Sequence, residues 1–314
     1  MTIIERLQQY KDLEPHKIAL IVDEEQYTYG QLYDAIISME FNNTSRIINL
    51  GQFNDGQKNK VLLTQSLSFV EQLLQWLWGL YKGYIPMVCH NEMDVAYIDE
   101  LARIISVEGV PTSADFGVLT SGTTGRPKPL WRSESSWREF FDIQNNIFYI
   151  NKDTKIFLHG SFSFTGVSNM VVAVLWSGGT VITTSSLRPI RWIQLIDKYH
   201  VDHIYALPTK LRLLVRHCKS KLDSINYIIG GSQVLDRQLM EQLELICPNM
   251  EFILYYGASE LNYITYCTGK EWLDREGTVG RPFPSVKIAE QNSVIYVTTK
   301  HHIEGIPDTY TVND

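Results

Sequence analysis

The sequence has few cysteines and no paired-cysteine motif. None of them forms a C-x-x-C pair within the 314 residues, where they stand as Cys89, Cys218, Cys247 and Cys267. This scarcity argues against a disulfide-rich domain and against a cysteine-based metal site, so we expect buried thiols in a reduced, cytoplasmic protein. The histidines considered as ligands also lack metal-binding spacing; they are His159, His200, His203, His301 and His302.

Long apolar runs and an excess of basic residues are also missing. No window approaches the roughly 18 apolar residues of a membrane span, and residues 1–10 lack the apolar centre of a signal peptide. The formal net charge of −7 disfavours a nucleic-acid surface, because phosphate backbones are bound by clustered Lys and Arg. With 44% hydrophobic and 20% charged residues, the composition is that of a globular protein without a membrane span or a nucleic-acid partner.

Short apolar segments alternate with helical patterns along most of the chain. Residues 61–64 and 85–89 have the pattern of buried strands and flank a predicted helix over 69–82, which indicates a parallel pair with a right-handed crossover. Beyond Asp274 the sequence turns to Gly, Pro and short β-branched pieces. We predict an α/β fold with parallel βαβ-type sheets in a core over residues 1–273, and a small β-rich, barrel-like portion over 274–314.

A run of hydroxyl and glycine residues follows the apolar segment 116–119 and ends at a lysine. It reads Thr120-Ser121-Gly122-Thr123-Thr124-Gly125-Arg126-Pro127-Lys128. Glycines let the backbone approach a ligand, successive amides form an anion nest, and the lysine supplies charge for phosphate oxygens. The spacing differs from Walker A, and the prolines at 127 and 129 prevent a helix from beginning at Lys128. We therefore predict a phosphate-binding loop of another kind.

The run closely resembles the phosphate loop of adenylate-forming (AMP-binding) enzymes, which include acyl-CoA synthetases, luciferases and the adenylation domains of peptide synthetases. Ser/Thr/Gly stretches are usually solvated linkers, but a linker has no need for this ordered run. Two further segments resemble family motifs at predicted strand ends, namely Gly230-Gly231-Ser232 and Tyr256-Gly257-Ala258-Ser259-Glu260. A Gly-Gly-Ser turn and a lone loop glutamate are each weak signals by themselves.

The resemblance implies a role for each of these positions. The 230–232 turn would line the adenine pocket, Tyr256 would stack on adenine, and Glu260 would coordinate Mg²⁺. Ser259 stands where the family usually has threonine and keeps the hydroxyl. The closing residues 310–314 are similar to the family's Tyr-x-x-Gly-Asp signature, with Asn313 replacing glycine, so that Asp314 would bind the ribose hydroxyls. Residues 277–284 resemble a structural Gly-x-Val-Gly-Arg-Pro turn.

The implied reaction is the ATP-dependent activation of a carboxylic acid, with Lys128 and Glu260 as catalytic residues and Mg²⁺ as the metal. The acyl-adenylate would pass to coenzyme A, or alternatively to a phosphopantetheinyl carrier protein. In the peptide synthetases an aspartate after the phosphate loop pairs with the substrate ammonium, whereas residues 159–166 here contain no acid. We therefore expect a simple fatty or aromatic acid in a pocket lined by His159, Phe162 and Phe164, although such aromatics also occur as ordinary core.

The resemblance runs from about residue 18 to residue 314 and covers only the large N-terminal domain of the family. Relatives continue into a small mobile domain that carries a second lysine. From this we expect binding of ATP or acyl-adenylate by the chain, with slow or no complete thioester formation. A nucleotide- or acyl-binding module without turnover is the competing hypothesis.

Overall fold

The computed structural model describes residues 1–40, 45–50, 58–120 and 126–311, in which helices and strands alternate. The helices are α1 (Ile3–Leu13), α2 (Tyr29–Ser38), α3 (Phe69–Tyr81), α4 (Val95–Glu108), α5 (Glu134–Ile147), α6 (Thr165–Ser177), α7 (Pro189–Lys198), α8 (Pro208–His217), α9 (Arg237–Ile246) and α10 (Gly269–Asp274). The strands are β1 (Ile18–Val22), β2 (Glu25–Thr28), β3 (Arg46–Asn49), β4 (Lys60–Thr64), β5 (Ile85–Val88), β6 (Phe116–Leu119), β7 (Pro129–Arg132), β8 (Lys155–Leu158), β9 (Thr180–Thr183), β10 (His203–Tyr205), β11 (Tyr227–Gly231), β12 (Glu251–Ala258), β13 (Asn262–Thr268), β14 (Arg281–Pro282), β15 (Lys287–Gln291), β16 (Val294–Thr298) and β17 (Thr309–Thr311).

The largest sheet has nine strands in the order β14-β13-β12-β11-β10-β8-β9-β1-β2. Its six central strands, from β12 to β1, pair in parallel, and the antiparallel strands β2, β13 and β14 form its two edges. Helical connections between parallel strands leave both faces of the sheet covered. The predicted α/β fold with parallel sheets is confirmed.

A second, five-stranded sheet has the order β3-β4-β5-β6-β7. Its parallel strands β4 and β5 are joined by α3, as the sequence predicts. The side chain of Ser68 accepts a hydrogen bond at the start of α3, and Gly83 takes a left-handed φ of 71° after its end. The β-rich carboxyl-terminal portion is a three-stranded antiparallel sheet, β15-β16-β17.

The main apolar core joins the two large sheets. It combines Leu20 and Ile229 of the nine-stranded sheet with Val118 of the five-stranded sheet. Between them, α6 is buried along most of its length. All four cysteines are free; Cys89, Cys247 and Cys267 are buried, whereas Cys218 is half-buried and so departs from the predicted burial. Within the described ranges, no helix is both long and apolar enough to cross a membrane.

Candidate functional site

The predicted phosphate loop connects the two antiparallel strands β6 and β7. Leu119 at the end of β6 pairs with Pro129 at the start of β7. Just beyond that pair, the Thr120 amide donates to the Lys128 carbonyl at 3.0 Å, and the Lys128 amide donates to Thr120 Oγ1 at 2.9 Å. These two bonds close the base of the loop and hold Lys128, which is exposed, at the carboxyl end of β6. The predictions for Ser121, Gly122, Thr123, Thr124 and Gly125 lie outside the described residues.

The outgoing arm of this loop is held by α4. The Tyr97 hydroxyl donates to the Pro127 carbonyl at 2.5 Å, and the Arg126 guanidinium lies 4.7 Å from the centre of the Tyr97 ring. Arg126 also forms an ion pair with Glu100. The position of Lys128 is therefore set from both sides, by β6 and by α4.

His90, which sequence reasoning missed, supports the incoming arm. It is 5% exposed, and its Nε2 lies 3.3 Å from the Thr120 carbonyl. Because a carbonyl only accepts, Nε2 carries the proton, and in the neutral ring Nδ1 accepts from Ser163 Oγ at 3.0 Å. The ring also stacks on Phe164 at 4.8 Å. The signal in the sequence was the position of His90 just after the carboxyl end of a buried strand.

The segment predicted to line the acid pocket, residues 159–166, comes next to the phosphate loop at Phe164. Phe164 forms a parallel bridge with Leu119, and its side chain is 41% exposed. Phe162 is instead buried, with its ring 5.7 Å from that of Trp76. Gln72 anchors the segment by accepting from the Phe162 amide at 2.9 Å. Of the three predicted pocket residues, Phe164 is exposed near the loop and Phe162 belongs to the core.

The third predicted pocket residue, His159, packs against Trp192 of α7 at a ring distance of 4.5 Å. Its pKa is lowered to about 4, first by burial and then by the charge of Lys210. The Lys210 ammonium donates to the His159 carbonyl, and burial lowers the pKa of Lys210 as well. His159 is thus a neutral group near pH 7.

The first two residues of the Gly-Gly-Ser segment are the last two residues of β11, where the backbone is tightly packed. Gly231 pairs with Tyr255 on the neighbouring parallel strand, and a Cβ at Gly231 would lie 2.3 Å from the Tyr255 carbonyl oxygen. A Cβ at Gly230 would lie 2.8 Å from the Phe252 ring. Gly231 and Tyr255 are the last pair of the parallel β11–β12 ladder, so Ser232 and Tyr256, which follow them, lie at the same edge of that ladder. The structure therefore brings the two predicted adenine-side segments together.

Glu260 lies in the turn between β12 and β13, and its position is tied to the strand that leaves the phosphate loop. Arg132 of β7 is fully buried, and its guanidinium donates to the Ser259 carbonyl at 2.6 Å and to the His301 carbonyl at 3.2 Å. The Glu260 carbonyl in turn accepts from the Ile303 amide at 2.9 Å. Sequence reasoning missed Arg132, since nothing in the local pattern distinguishes it from a surface arginine.

The electrostatics at Arg132 reflect its burial. Desolvation lowers the pKa of Arg132 to about 10, while the negative charges of Glu260 and Glu304 act in the opposite direction. The guanidinium is still protonated near pH 7. It places a positive charge behind the backbone that carries Glu260.

The donor set suits a magnesium ion that is held mainly by a nucleotide. The described residues contain no group of three or more His, Cys, Asp or Glu side chains that could enclose a metal. Magnesium commonly takes one or two protein carboxylates and fills its other positions with phosphate oxygens and waters. Glu260 is half-exposed and offers such a carboxylate. The predicted ribose ligand, Asp314, lies outside the described residues.

Comparison with known proteins identifies a family and several relatives of this chain. The model of the AMP-binding enzyme family matches residues 111–298. VraA of Staphylococcus epidermidis, provisionally named a long chain fatty acid-CoA ligase, is 26% identical over 302 residues, covering 91% of this chain and 64% of VraA. The uncharacterized acyl-CoA ligase YhfT of Bacillus subtilis is 28% identical over 175 residues, covering 56% of this chain and 36% of YhfT. The chain thus spans less than two thirds of the length of either relative.

Solved structures share the fold at low sequence identity. The o-succinylbenzoate coenzyme A synthetase MenE of Bacillus subtilis, in complex with ATP and a magnesium ion, matches with a TM-score of 0.78 and 15% identity, covering 98% of this chain and 72% of MenE. The inhibitor-bound N-terminal domain of FACL13 from Mycobacterium tuberculosis matches with a TM-score of 0.77 and 14% identity, covering 100% of this chain and 91% of that domain.

Proposed function

The chain belongs to the AMP-binding enzyme family, and we propose that it uses ATP to activate a carboxylic acid as an acyl-adenylate for transfer to coenzyme A. The observation that carries this proposal is the pair of hydrogen bonds between Thr120 and Lys128, which closes the base of the loop between β6 and β7. Arg132 of β7 links that strand to the turn that carries Glu260. The backbone segments that carry Lys128 and Glu260 are thereby connected, and adenylate formation requires a lysine and a metal-binding carboxylate at the same nucleotide.

In the proposed first step, a carboxylate oxygen of the acid forms a bond to the α-phosphorus of ATP. The bond between that phosphorus and the oxygen bridging to the β-phosphate breaks, and pyrophosphate leaves. In the second step, the thiol sulfur of coenzyme A bonds to the acyl carbon, the thiol proton is released, and AMP leaves. Because both reactants of the first step are anionic, the protein contributes mainly positioning and charge neutralisation.

Different residues bind the phosphates, the metal ion and the adenosine. Lys128 neutralises phosphate oxygens, and Thr120 with the glycine- and hydroxyl-rich residues 121–125 binds them. Glu260 holds Mg²⁺, which, when bound, supplies further positive charge at the phosphates. The other residues bind the adenosine. The adenine is surrounded by Tyr256 and by Gly230, Gly231, Ser232, Gly257 and Ser259, and Asp314 binds the ribose.

This proposal assigns the nucleotide- and acid-binding core to residues 1–273 and the β-rich portion that leads to Asp314 to residues 274–314. The ligase names of VraA and YhfT support an acid substrate and coenzyme A as the acceptor. The bound ATP and magnesium ion of MenE support the cofactor pair. Of the three residues predicted to line the acid pocket, His159 and Phe164 remain proposed pocket residues, and Phe164 has the exposure to contact a substrate directly. Phe162 packs in the core instead.

ATP–pyrophosphate exchange over a panel of fatty, aromatic and amino acids tests the proposal. We expect exchange that depends on a fatty or aromatic acid and that falls roughly a hundredfold or more in Lys128→Ala and Glu260→Gln. Lys152→Ala, at an exposed lysine in the turn before β8, is the matched control and should behave as the parent. Exchange with amino acids alone, or exchange unchanged in Lys128→Ala, would refute the assignment. Offering coenzyme A and a phosphopantetheinyl carrier side by side identifies the acceptor.

A further inference from the structure

A continuous row of hydrogen bonds runs from α3 to the first residue of the phosphate loop. At one end, Gln72 Oε1 accepts from Ser161 Oγ at 3.0 Å. Ser161 Oγ and Ser163 Oγ are 2.8 Å apart, and Ser163 Oγ lies 3.0 Å from His90 Nδ1. At the other end, His90 Nε2 lies 3.3 Å from the Thr120 carbonyl oxygen. We call these five residues the Gln72–Thr120 network.

Both ends of this network can only accept hydrogen bonds. The Thr120 carbonyl has no proton to give. The Gln72 amide has a fixed orientation, because its Nε2 donates to the Ser66 carbonyl at 2.6 Å and its Oε1 also accepts from the Phe162 amide. Turning the amide over would bring two acceptors together at Ser66 and two donors together at Phe162. Gln72 therefore presents an acceptor to Ser161.

The network has four links, and each link needs one proton. The two serine hydroxyls supply one proton each, and a neutral histidine supplies one more. Either tautomer of neutral His90 therefore leaves one link with no proton between two acceptors. The imidazolium form supplies two protons, so that His90 donates to both Thr120 and Ser163. Ser163 then donates to Ser161, Ser161 donates to Gln72, and every link is made.

Burial makes the missing proton costly. Gln72, Ser163 and His90 are all buried, so water has little access to the groups that a neutral ring would leave unpaired. A buried acceptor without a donor costs more free energy than the same group in water. The hydrogen-bond pattern therefore favours the charged form of His90.

We infer that His90 is held as an imidazolium cation near pH 7 and that its charge, added to that of Lys128, attracts the triphosphate to the phosphate loop. The inference rests on the proposed function. The His90 ring contacts the carbonyl of Thr120, whose amide and hydroxyl close the base of the loop against the Lys128 backbone. A buried positive charge at this point is screened less than one in water. His90 acts through Thr120 and is a positioning residue.

His90 is the group whose charge changes around neutral pH in this part of the molecule. In the segments that meet at the network, residues 65–72, 89–93, 128 and 159–165, the other titratable side chains are Glu71, Cys89, Glu92, Lys128 and His159. Carboxylates and lysines keep their charges between about pH 6 and 8. Burial raises the pKa of Cys89 to about 12, and burial above all lowers the pKa of His159 to about 4, so both stay neutral in this range.

NMR of the protein with ¹⁵N-labelled histidine reads the proton directly, because the ring nitrogens of an imidazolium and of a neutral imidazole resonate at different frequencies. The His90 signals are assigned by their loss in His90→Gln, and we expect both ring nitrogens to be protonated near pH 7. Ser161→Ala frees Ser163 to donate to a neutral ring, so His90 should lose its proton roughly one pH unit lower. Ser168→Ala removes a buried hydroxyl outside the network and should leave the titration unchanged.

Calorimetry with Mg²⁺–ATP between about pH 6 and 8 measures what the charge contributes to binding. His90→Gln keeps a side-chain donor and cannot become charged. The ratio of parent to His90→Gln affinity at each pH cancels the titration of ATP itself. We expect this ratio to be roughly tenfold while the ring is protonated, and to fall toward one over the pH range in which NMR shows the proton leaving.

A neutral His90 ring near pH 7, an unchanged titration in Ser161→Ala, or an affinity ratio that does not vary with pH overturns the inference while leaving nucleotide binding intact. If the parent binds no Mg²⁺–ATP at any pH, the proposed function falls and the role of this charge falls with it.

Discussion

The guanidinium of Arg132 donates to the carbonyl of Ser259 across 2.6 Å, and so joins the strand that leaves the phosphate loop to the residue before Glu260. The two residues are 127 positions apart in the sequence. Arg132 is fully buried, and its part-buried bond to Ser259 couples the two motifs that the proposed chemistry needs. It gives a physical reason why Lys128 and Glu260 can act on one nucleotide.

Replacing Arg132 with lysine should weaken Mg²⁺–ATP binding roughly tenfold while the protein still folds. Lysine keeps the positive charge but cannot reproduce the fork that reaches the carbonyls of Ser259 and His301 together. Calorimetry with Mg²⁺–ATP measures the loss. Arg103→Lys, at an exposed arginine on α4, is the control and should bind as the parent does. Unchanged affinity in Arg132→Lys would show that the link does not position Glu260.

Replacing His301 with phenylalanine should remove part of the protein's sensitivity to acid. Burial lowers the pKa of His301 to about 4, and both ring nitrogens lack a partner among the described residues. Between about pH 6.5 and 4 the unfolded chain therefore binds a proton at this residue that the folded chain does not, and stability falls as the pH falls.

Over that range the parent should lose about 1.4 kcal/mol of unfolding free energy per pH unit from this residue. Phenylalanine does not titrate and would fit beside Phe140, whose ring lies 5.0 Å from that of His301. Urea unfolding of His301→Phe near pH 5 should give a pH slope lower by about that amount. An identical slope in parent and variant would mean that His301 titrates normally in the folded state.

Adding a methyl group at Gly166 should destabilise the protein by about 1–3 kcal/mol. The new Cβ would lie 2.6 Å from the Tyr205 hydroxyl oxygen. Because that oxygen is the colliding atom, Tyr205→Phe should recover much of the loss when the two substitutions are combined. Chemical unfolding of both single variants and the double variant gives the coupling energy. Purely additive effects would show that Gly166 and Tyr205 do not press on each other.

Disrupting His90 should impair the phosphate loop more than the fold. Its Nε2 donates to the Thr120 carbonyl and its ring stacks on Phe164, so His90→Phe removes the donor and keeps the stacking. We expect pyrophosphate exchange to fall roughly tenfold through a higher KM for ATP. Circular dichroism checks that the fold is retained. A fall in kcat with KM unchanged would argue against positioning of the loop.

Local signals in the sequence were enough to predict many elements. The strand Phe116–Leu119 and the helix after Ser68 follow from an apolar run, a helical repeat and a capping residue, all of which act within a few positions. The pairing of β1 with β9 could not be predicted in this way. It joins Leu20 to Val181, and no short-range pattern encodes which strands become neighbours.

The candidate site likewise combines residues that a local motif predicts with residues that only long-range packing brings in. The loop run and the Glu260 segment are contiguous motifs, so they can be recognised from the sequence. Arg132 and His90 reach the site only through contacts between segments that are distant in the sequence. Phe162 illustrates the converse, because a position expected to line the pocket is filled by a side chain that packs against Trp76 in the core.

Direct calorimetric titration with Mg²⁺–ATP tests the proposed binding of the nucleotide through Lys128 and Glu260. We expect saturable binding to the parent chain, weakened at least roughly tenfold in Lys128→Ala and in Glu260→Gln and unchanged in Lys152→Ala. No measurable binding to the parent, or equal affinity in parent and Lys128→Ala, would rule out this mode of nucleotide binding.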